Sequence, residues 1–268
     1  MPTNNKIRLD ELAVQRGLAA TTDEAARLLI AGALVSAGLA NPKPGSLVVA
    51  DSDIDLHLRR PPASYVSRGG QKLAAGLSHF ALDVSGARCL DLGASTGGFT
   101  DCLLKHGAAT VTAVDVGYGQ FDFQLRQDPR VRLLERTNLR SLPQPTPDAA
   151  FDLIVADLSF TATSPLFCTL STFLRPQGQL LVLIKPQFET GQPTAVVTAA
   201  AEHQRILEAV LARATAAGLV ARGLVHSPVK GPKGNIEFLF WATQTGKAAT
   251  IDVHQVVLTA HRRLDKKT

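Results

Sequence analysis

Beyond residue 62, short apolar runs alternate with longer mixed stretches. The runs at 89–92, 110–114, 131–134, 153–156 and 180–184 are rich in Leu, Val and Ala. Unbroken apolar runs of that length suit strands buried on both faces of a parallel sheet. Helical stretches separate them, and 202–217 carries the clearest helical pattern. Two further strands are expected near 219–226 and 237–242. This alternation predicts an α/β fold. The alanine-rich stretch 195–201 reads as a loop running into a helix.

The first sixty residues follow another pattern. Leu9, Leu12 and Ala13 share one helical face. Thr21 and Glu24 have capping-box spacing ahead of a second helix, in which Ala25, Leu28 and Leu29 recur at helical intervals. Gly32 is placed to stop that helix, Gly38 marks a later turn, and Asn41-Pro42-Lys43-Pro44-Gly45 reads as a loop. Strands at 47–49 and 54–56 complete a small α-plus-hairpin module. Arg59-Arg60-Pro61-Pro62 reads as a linker, because adjacent prolines disfavour helix and stiffen the chain. The expected domains are therefore 1–60 and 61–268.

Composition narrows the classes. The chain has 268 residues, 45% hydrophobic and 19% charged, enough to bury a core without a disulfide or metal staple. Its longest charge-free run, 158–174, is shorter than the roughly 20 apolar residues that span a bilayer, and Pro165 interrupts it. The first nine residues are polar and lack the apolar segment of a signal peptide. Cys89, Cys102 and Cys168 are far apart and form no CxxC pair, which suits a reducing cytosol and offers no zinc site. The net charge of +5 is compatible with a polyanionic partner. Residues 1–60 carry seven basic and seven acidic side chains, so the excess lies wholly in 61–268, with 21 against 16.

The run Asp91-Leu92-Gly93-Ala94-Ser95-Thr96-Gly97-Gly98-Phe99 follows the first strand of the second domain and opens a helix. Small residues there let the backbone approach a ligand at the carboxyl edge of the sheet. The spacing is not that of a dinucleotide fingerprint, since Ser95 stands where GxGxxG needs glycine. Helix amides would favour an anionic group such as an amino-acid carboxylate. Asp115 ends the second strand, where a carboxylate can accept bonds from both hydroxyls of a ribose. Together these features resemble the S-adenosylmethionine site of class I methyltransferases. Asn138, just after the third strand, reads either as an adenine neighbour or as a turn-capping amide.

Four polar residues fall at places where such a sheet would gather them. Asp157 ends the fourth strand and Lys185 the fifth. Glu237 begins the last strand, and lies at the same edge if that strand is antiparallel. Lys72 sits on a helix after Ser67-Arg68-Gly69-Gly70, before the first strand. Each alone reads as a cap or a solvated charge. Together, two lysines and two carboxylates make a proton-handling site. A ribose 2′-hydroxyl is a poor nucleophile until deprotonated, and a lysine with lowered proton affinity can take that proton. Asp157-Leu158-Ser159-Phe160 also differs from the Asp/Asn-Pro-Pro-Tyr of enzymes that methylate base amines, so a hydroxyl acceptor is preferred.

At this point the chain resembles the TlyA family of ribosomal RNA 2′-O-methyltransferases, often labelled hemolysins. The resemblance rests on Tyr65 to Leu73, Asp91 to Phe99, Glu135 to Asn138, Asp157 to Phe160, Ile184 to Glu189 and Ser227 to Phe238, in order along the chain. It implies an FtsJ-type, Rossmann-like class I methyltransferase domain with a seven-stranded mixed sheet. It implies a Lys-Asp-Lys-Glu tetrad at Lys72, Asp157, Lys185 and Glu237. S-adenosylmethionine would be held at Asp91, Gly93, Ser95, Thr96, Gly97, Phe99, Asp115, Asn138 and Asp157. It further implies an amino-terminal α+β S4-like RNA-binding domain, and methylation of cytidine ribose in 16S or 23S RNA, with the ribosome or its subunits as partner and no metal.

The S4 module departs from its usual pattern. Thr21-Thr22 replaces Ser-Arg before the second helix, and Leu34-Val35-Ser36-Ala37-Gly38 replaces Val-x-Val-Asn-Gly. Arg8, Arg16, Arg27 and Lys43 are candidates for phosphate contacts, or plain surface charge. Arg68, Lys230 and Lys233 stand closer to the expected active edge. Two other readings stay open on sequence: a membrane-active hemolysin, and a ribosome-binding or assembly factor without catalysis.

Overall fold

The computed structural model describes residues 6–30, 34–37, 39, 43–50, 54–58, 65–190 and 196–264. Gly32, Gly38, Asn41, Pro42, the Arg59-Arg60-Pro61-Pro62 linker and Ala195 lie outside the described residues. The chain divides into two compact units, Met1–Ser64 and Tyr65–Thr268.

In the first unit, β1 (Lys6–Arg8) leads into α1 (Leu9–Gln15) and α2 (Thr22–Ile30). Then follow β2 (Leu34–Ala37), β3 (Leu47–Val49) and β4 (Asp55–Leu58). Leu9, Leu12 and Ala13 meet Ala25, Leu29, Leu34, Val48 and Leu56 in one small core. At the start of α2, Thr21 Oγ1 accepts the Glu24 N–H at 3.2 Å. The Glu24 carboxylate reaches past Thr21 and accepts from Ala20 N–H at 2.8 Å, so the capping box closes one residue early.

The expected hairpin of 47–49 with 54–56 is corrected. β3 pairs antiparallel with β1, Ile7 opposite Val48. β4 pairs antiparallel with β2, Ser36 opposite Leu56. Only Val48 of β3 points inward, while Leu47 and Val49 are exposed. A three-residue strand with one buried side chain has little to select a neighbour by itself. Its partner is fixed instead by the start of α1, where Leu9 and Asp10 N–H groups donate to the Ser46 and Pro44 carbonyls.

The second unit opens with α3 (Arg68–His79), β5 (Arg88–Leu92), α4 (Gly98–Lys105), β6 (Thr110–Val114), α5 (Phe123–Gln127) and β7 (Val131–Leu134). It continues with β8 (Phe151–Ala156), α6 (Phe167–Ser171), β9 (Leu174–Ile184), α7 (Pro186–Glu189) and α8 (Ala200–Ala216). β10 (Val220–His226), β11 (Phe238–Thr243) and α9 (Val253–Leu264) complete it. Seven strands form one mixed sheet in the order β10-β11-β9-β8-β5-β6-β7. β5 to β9 are parallel along their ladders, and β11 is antiparallel to both β9 and β10.

Alternate side chains of each strand feed two cores. Leu90, Ile154, Val182 and Ile184 face α8 and α9, whereas Cys89, Val155, Leu181 and Leu183 face α3 and α4. β9 starts at Leu174, earlier than the expected 180, and its register against β8 shifts between Phe151 and Leu153. Gly178 permits this: a β-carbon there would lie 2.9 Å from the Arg175 and Phe151 carbonyl oxygens. The sequence reading missed α9, which buries Val253, Val257, Ala260 and Leu264.

The consequence for function is geometric. The carboxyl ends of β5, β6, β8 and β9 lie at one edge of the sheet. Phe238 pairs with Ile184, so the residue before β11 and the residue after β9 meet at that same edge.

Candidate active site

The chain leaves β5 through a tight turn. Gly93, Ser95 and Gly97 have φ of +76°, +48° and +93°, all left-handed. Glycine adopts that region freely, and Ser95 does so at some cost. The N–H groups of Gly93 and Ala94 both donate to the Val114 carbonyl, at 2.9 and 3.2 Å. Asp115, one residue on, accepts from the Ser95 N–H at 2.7 Å and the Gly117 N–H at 2.6 Å. A carboxylate offers about four acceptor sites, so Asp115 keeps capacity for a vicinal diol.

Asp91 lies beneath the turn, fully buried. Its Oδ2 accepts from the Thr100 hydroxyl at 2.6 Å, and its Oδ1 has no hydrogen-bond partner among the described residues. Burial pushes this carboxyl up to about 7, opposed by the Thr100 bond.

Two lysine–carboxylate pairs form at the sheet edge. Lys72 of α3 places Nζ 2.5 Å from Glu237 Oε2, joining residues 165 positions apart. Glu237 is 0% exposed. Burial pushes its carboxyl above the usual range, and the Lys72 ammonium opposes that. Lys185 Nζ lies 2.7 Å from Asp157 Oδ1. That contact is charge-to-charge and poorly aligned as a hydrogen bond. The aligned bond from Lys185 Nζ goes to Ser159 Oγ, at 2.9 Å.

A cleft of about 290 Å³ joins these parts. Ser67, Arg68, Gly69 and Lys72 line it from the start of α3. Gly93, Ala94, Ser95, Thr96, Gly98 and Phe99 line it from the turn, and Asp157, Ser159 and Lys185 from the sheet edge. α3 and α4 approach closely here, since a β-carbon on Gly98 would lie 2.1 Å from Ser67 Oγ. Gly97, Asp91 and Asp115 support the turn from outside the cleft lining. Asn138 caps a turn: its Oδ1 accepts the Arg140 N–H at 3.0 Å.

The basic candidates differ in their surroundings. Arg8 forks onto Asp10 at 2.6 and 3.0 Å. Arg16 donates to the Ile54 carbonyl at 2.5 Å, and Arg27 to the Asp23 carbonyl at 3.3 Å. The Lys43 side chain is exposed. Arg68 alone of the set lines the cleft. Lys230 is half-buried and Lys233 exposed, in the loop before Glu237. The sequence reading missed Ser159, Thr100 and Gly231 as parts of the site. Ser159 had one available signal, its place two residues beyond a strand-ending aspartate.

Among the described residues no helix is long and apolar enough to cross a membrane, and no cluster of three His, Cys, Asp or Glu could hold a metal. Residues 65–244 match the FtsJ-like methyltransferase family. The chain is 42% identical over 248 residues to the 16S/23S rRNA (cytidine-2′-O)-methyltransferase TlyA of Mycobacterium tuberculosis (strain ATCC 25618 / H37Rv), covering 91% of this chain and 92% of that protein. It is 38% identical over 276 residues to YqxC of Bacillus subtilis (strain 168), provisionally named an rRNA methyltransferase, covering 99% and 98%. A solved structure from Streptococcus thermophilus, provisionally named a hemolysin, is similar with a TM-score of 0.73 at 37% identity, covering 98% of each chain. The chain therefore belongs to the FtsJ-like methyltransferase family and, within it, to the TlyA family.

Proposed function

We propose that this enzyme uses S-adenosylmethionine to methylate the 2′-hydroxyl of a cytidine ribose in ribosomal RNA. The observation that carries this reading is the meeting of the Lys72–Glu237 and Lys185–Asp157 pairs at one sheet edge, beside a cleft floored by the glycine turn. The substrate class follows the names of the relatives, and hydroxyl chemistry suits an edge built of amines and carboxylates.

The residues fit the cofactor. Gly93, Ser95 and Thr96 would hold its amino-acid part, Asp115 its ribose, and Asp157 its cationic centre. Asp91 and Gly97 would shape the turn from below. When bound, the cofactor supplies an electrophilic methyl group on a sulfonium. Lys185 takes the proton of the 2′-hydroxyl, and Asp157 compensates the ammonium that results. Glu237 holds Lys72 at the rim, where its charge draws in the ribose-phosphate backbone.

The unit Met1–Ser64 serves, in this reading, as an S4-like RNA-binding domain, with residues 61–268 as the catalytic domain. Arg8, Arg16, Arg27 and Lys43 are candidates for phosphate contacts from that unit, the three arginines already holding partners within it. Arg68, Lys230 and Lys233 are the better RNA contacts. The working compartment is the cytoplasm, where ribosomes are assembled.

The test is transfer of labelled methyl from S-adenosylmethionine to ribosomal RNA, with the acceptor mapped as a blocked 2′-hydroxyl. Lys72→Ala, Asp157→Ala and Lys185→Ala should each abolish transfer in a folded protein. Label on a base, or transfer persisting in all three variants, overturns the reading.

A further inference from the structure

Lys185 touches two groups on the segment after β8, and they differ in kind. Asp157 supplies opposite charge at 2.7 Å without hydrogen-bond alignment. Ser159 supplies an aligned acceptor at 2.9 Å. Charge attraction is nearly indifferent to rotation about the Cε–Nζ bond, whereas an aligned hydrogen bond fixes it. We propose that Ser159 is a positioning residue: its hydroxyl sets the rotation of the Lys185 amine, so that the nitrogen's lone pair, once a proton has left, points into the cleft.

The segment carrying Ser159 is built to hold it. Phe160, next in the chain, has φ +64°, a left-handed backbone that a bulky residue adopts only under constraint. Its side chain is 88% exposed, so burial of the ring does not hold that conformation. The ring rests on Phe188 at 5.9 Å between centroids, and the far end of the loop is tied down. Glu189 accepts from the Thr163 N–H at 2.8 Å, the Ser164 N–H at 3.3 Å and the Ser164 hydroxyl at 2.5 Å. Arg213 in turn donates to Ser164 Oγ at 2.8 Å. Glu189 lies four residues beyond Lys185, so one short segment supplies both the lysine and the clamp on the loop that orients it.

A neutral amine has two hydrogens and one lone pair. With Ser159 accepting one hydrogen, and Asp157 drawing the other, the remaining direction is left for the incoming hydroxyl. Without Ser159 the amine turns more freely, and only a fraction of its orientations presents the lone pair. Glu237 and Lys72 are paired with each other at 2.5 Å, and Arg68, which also lines the cleft, has no acceptor to offer in the hydroxyl's place.

The inference rests on Lys185 as the proton acceptor, and the experiment separates the two. Methyl transfer to ribosomal RNA is measured against pH for the full chain and for Ser159→Ala, Ser159→Thr and Lys185→Ala. S-adenosylmethionine affinity is measured by calorimetry. Ser159 is exposed, so both of its variants should fold. Expected for Ser159→Ala is a fall in plateau kcat of about five- to tenfold, the worth of one hydrogen bond, with cofactor affinity and RNA KM unchanged. Ser159→Thr should restore the plateau. If Lys185→Ala is inactive while Ser159→Ala keeps the parent plateau, the positioning role is wrong and the proton acceptor stands. Loss in Ser159→Ala that Ser159→Thr fails to restore also overturns the role. If Lys185→Ala is active, both fall.

Discussion

Gly231 lies so close to Glu237 that a β-carbon on it would stand 2.0 Å from Glu237 Oε1. Glu237 cannot yield easily: it is fully buried, and its other oxygen is held by Lys72. Gly231→Ala should therefore push Glu237 off its lysine without touching the cleft. Misplacement of a catalytic group by about 1 Å costs on the order of a hundredfold in rate. Methyl transfer is expected to fall at least tenfold while thermal melting stays cooperative. A Gly231→Ala enzyme of parent activity would show that the Lys72–Glu237 contact does not matter for turnover.

The Lys72–Glu237 pair should separate stability from activity. Removing one partner of a buried pair leaves an uncompensated charge and costs about 3–5 kcal/mol, whereas replacing both by apolar groups is often neutral. Lys72→Met should thus be markedly destabilised in urea, and Lys72→Met with Glu237→Leu should recover most of the loss. Neither should transfer methyl groups. Recovery of activity in the double variant would reduce the pair to a structural role.

How much of this was legible follows from how local each signal is. The glycine turn and Asp115 were readable because the loop sits wholly between two short apolar runs. Lys72, Asp157, Lys185 and Glu237 are spread over more than half the chain, and they became a group only once the alternation of strands and helices put their positions at one edge. Ser159 showed its place two residues beyond a strand-ending aspartate but not its role, because spacing cannot say which polar residue after a strand meets a lysine from the next. The pairing of β3 with β1 was hidden for a related reason: one inward valine selects no partner. Helix α9 did carry a signal, in the helical spacing of Val253, Val257, Ala260 and Leu264.

Asp91 should make the fold sensitive to pH in the direction opposite to a surface carboxylate. Its carboxyl is pushed up to about 7 by burial, from 3.8. A raised acid binds its proton more tightly folded than unfolded. The stability it confers is whole below about pH 4 and is lost as pH rises toward 7. Asp91→Asn cannot ionise. The stability of Asp91→Asn relative to the parent should therefore climb between pH 4 and 8, by at most about 4 kcal/mol. Urea midpoints at several pH values measure this difference, which cancels titrations common to both proteins. A flat difference would mean that Asp91 ionises as readily folded as unfolded.

Gly93 and Gly97 both have left-handed backbones, so an alanine at either pays a similar conformational cost of about 1–2 kcal/mol. Their surroundings differ. A β-carbon on Gly93 would meet the Asp157 carbonyl oxygen at 2.8 Å, an atom fixed because the Asp157 N–H is bonded to the Leu92 carbonyl. On Gly97 it would meet Leu125 Cδ1 at 2.6 Å, the end of a side chain that can turn aside. Gly93→Ala must therefore move backbone at the point where the turn and Asp157 meet, whereas Gly97→Ala need move only a leucine. Calorimetry with S-adenosylmethionine should show the larger loss of affinity for Gly93→Ala, and methyl transfer should fall further still, since Asp157 is displaced as well. If Gly97→Ala binds the cofactor more weakly than Gly93→Ala, the close pass of Gly93 over Asp157 is not what shapes the cofactor site.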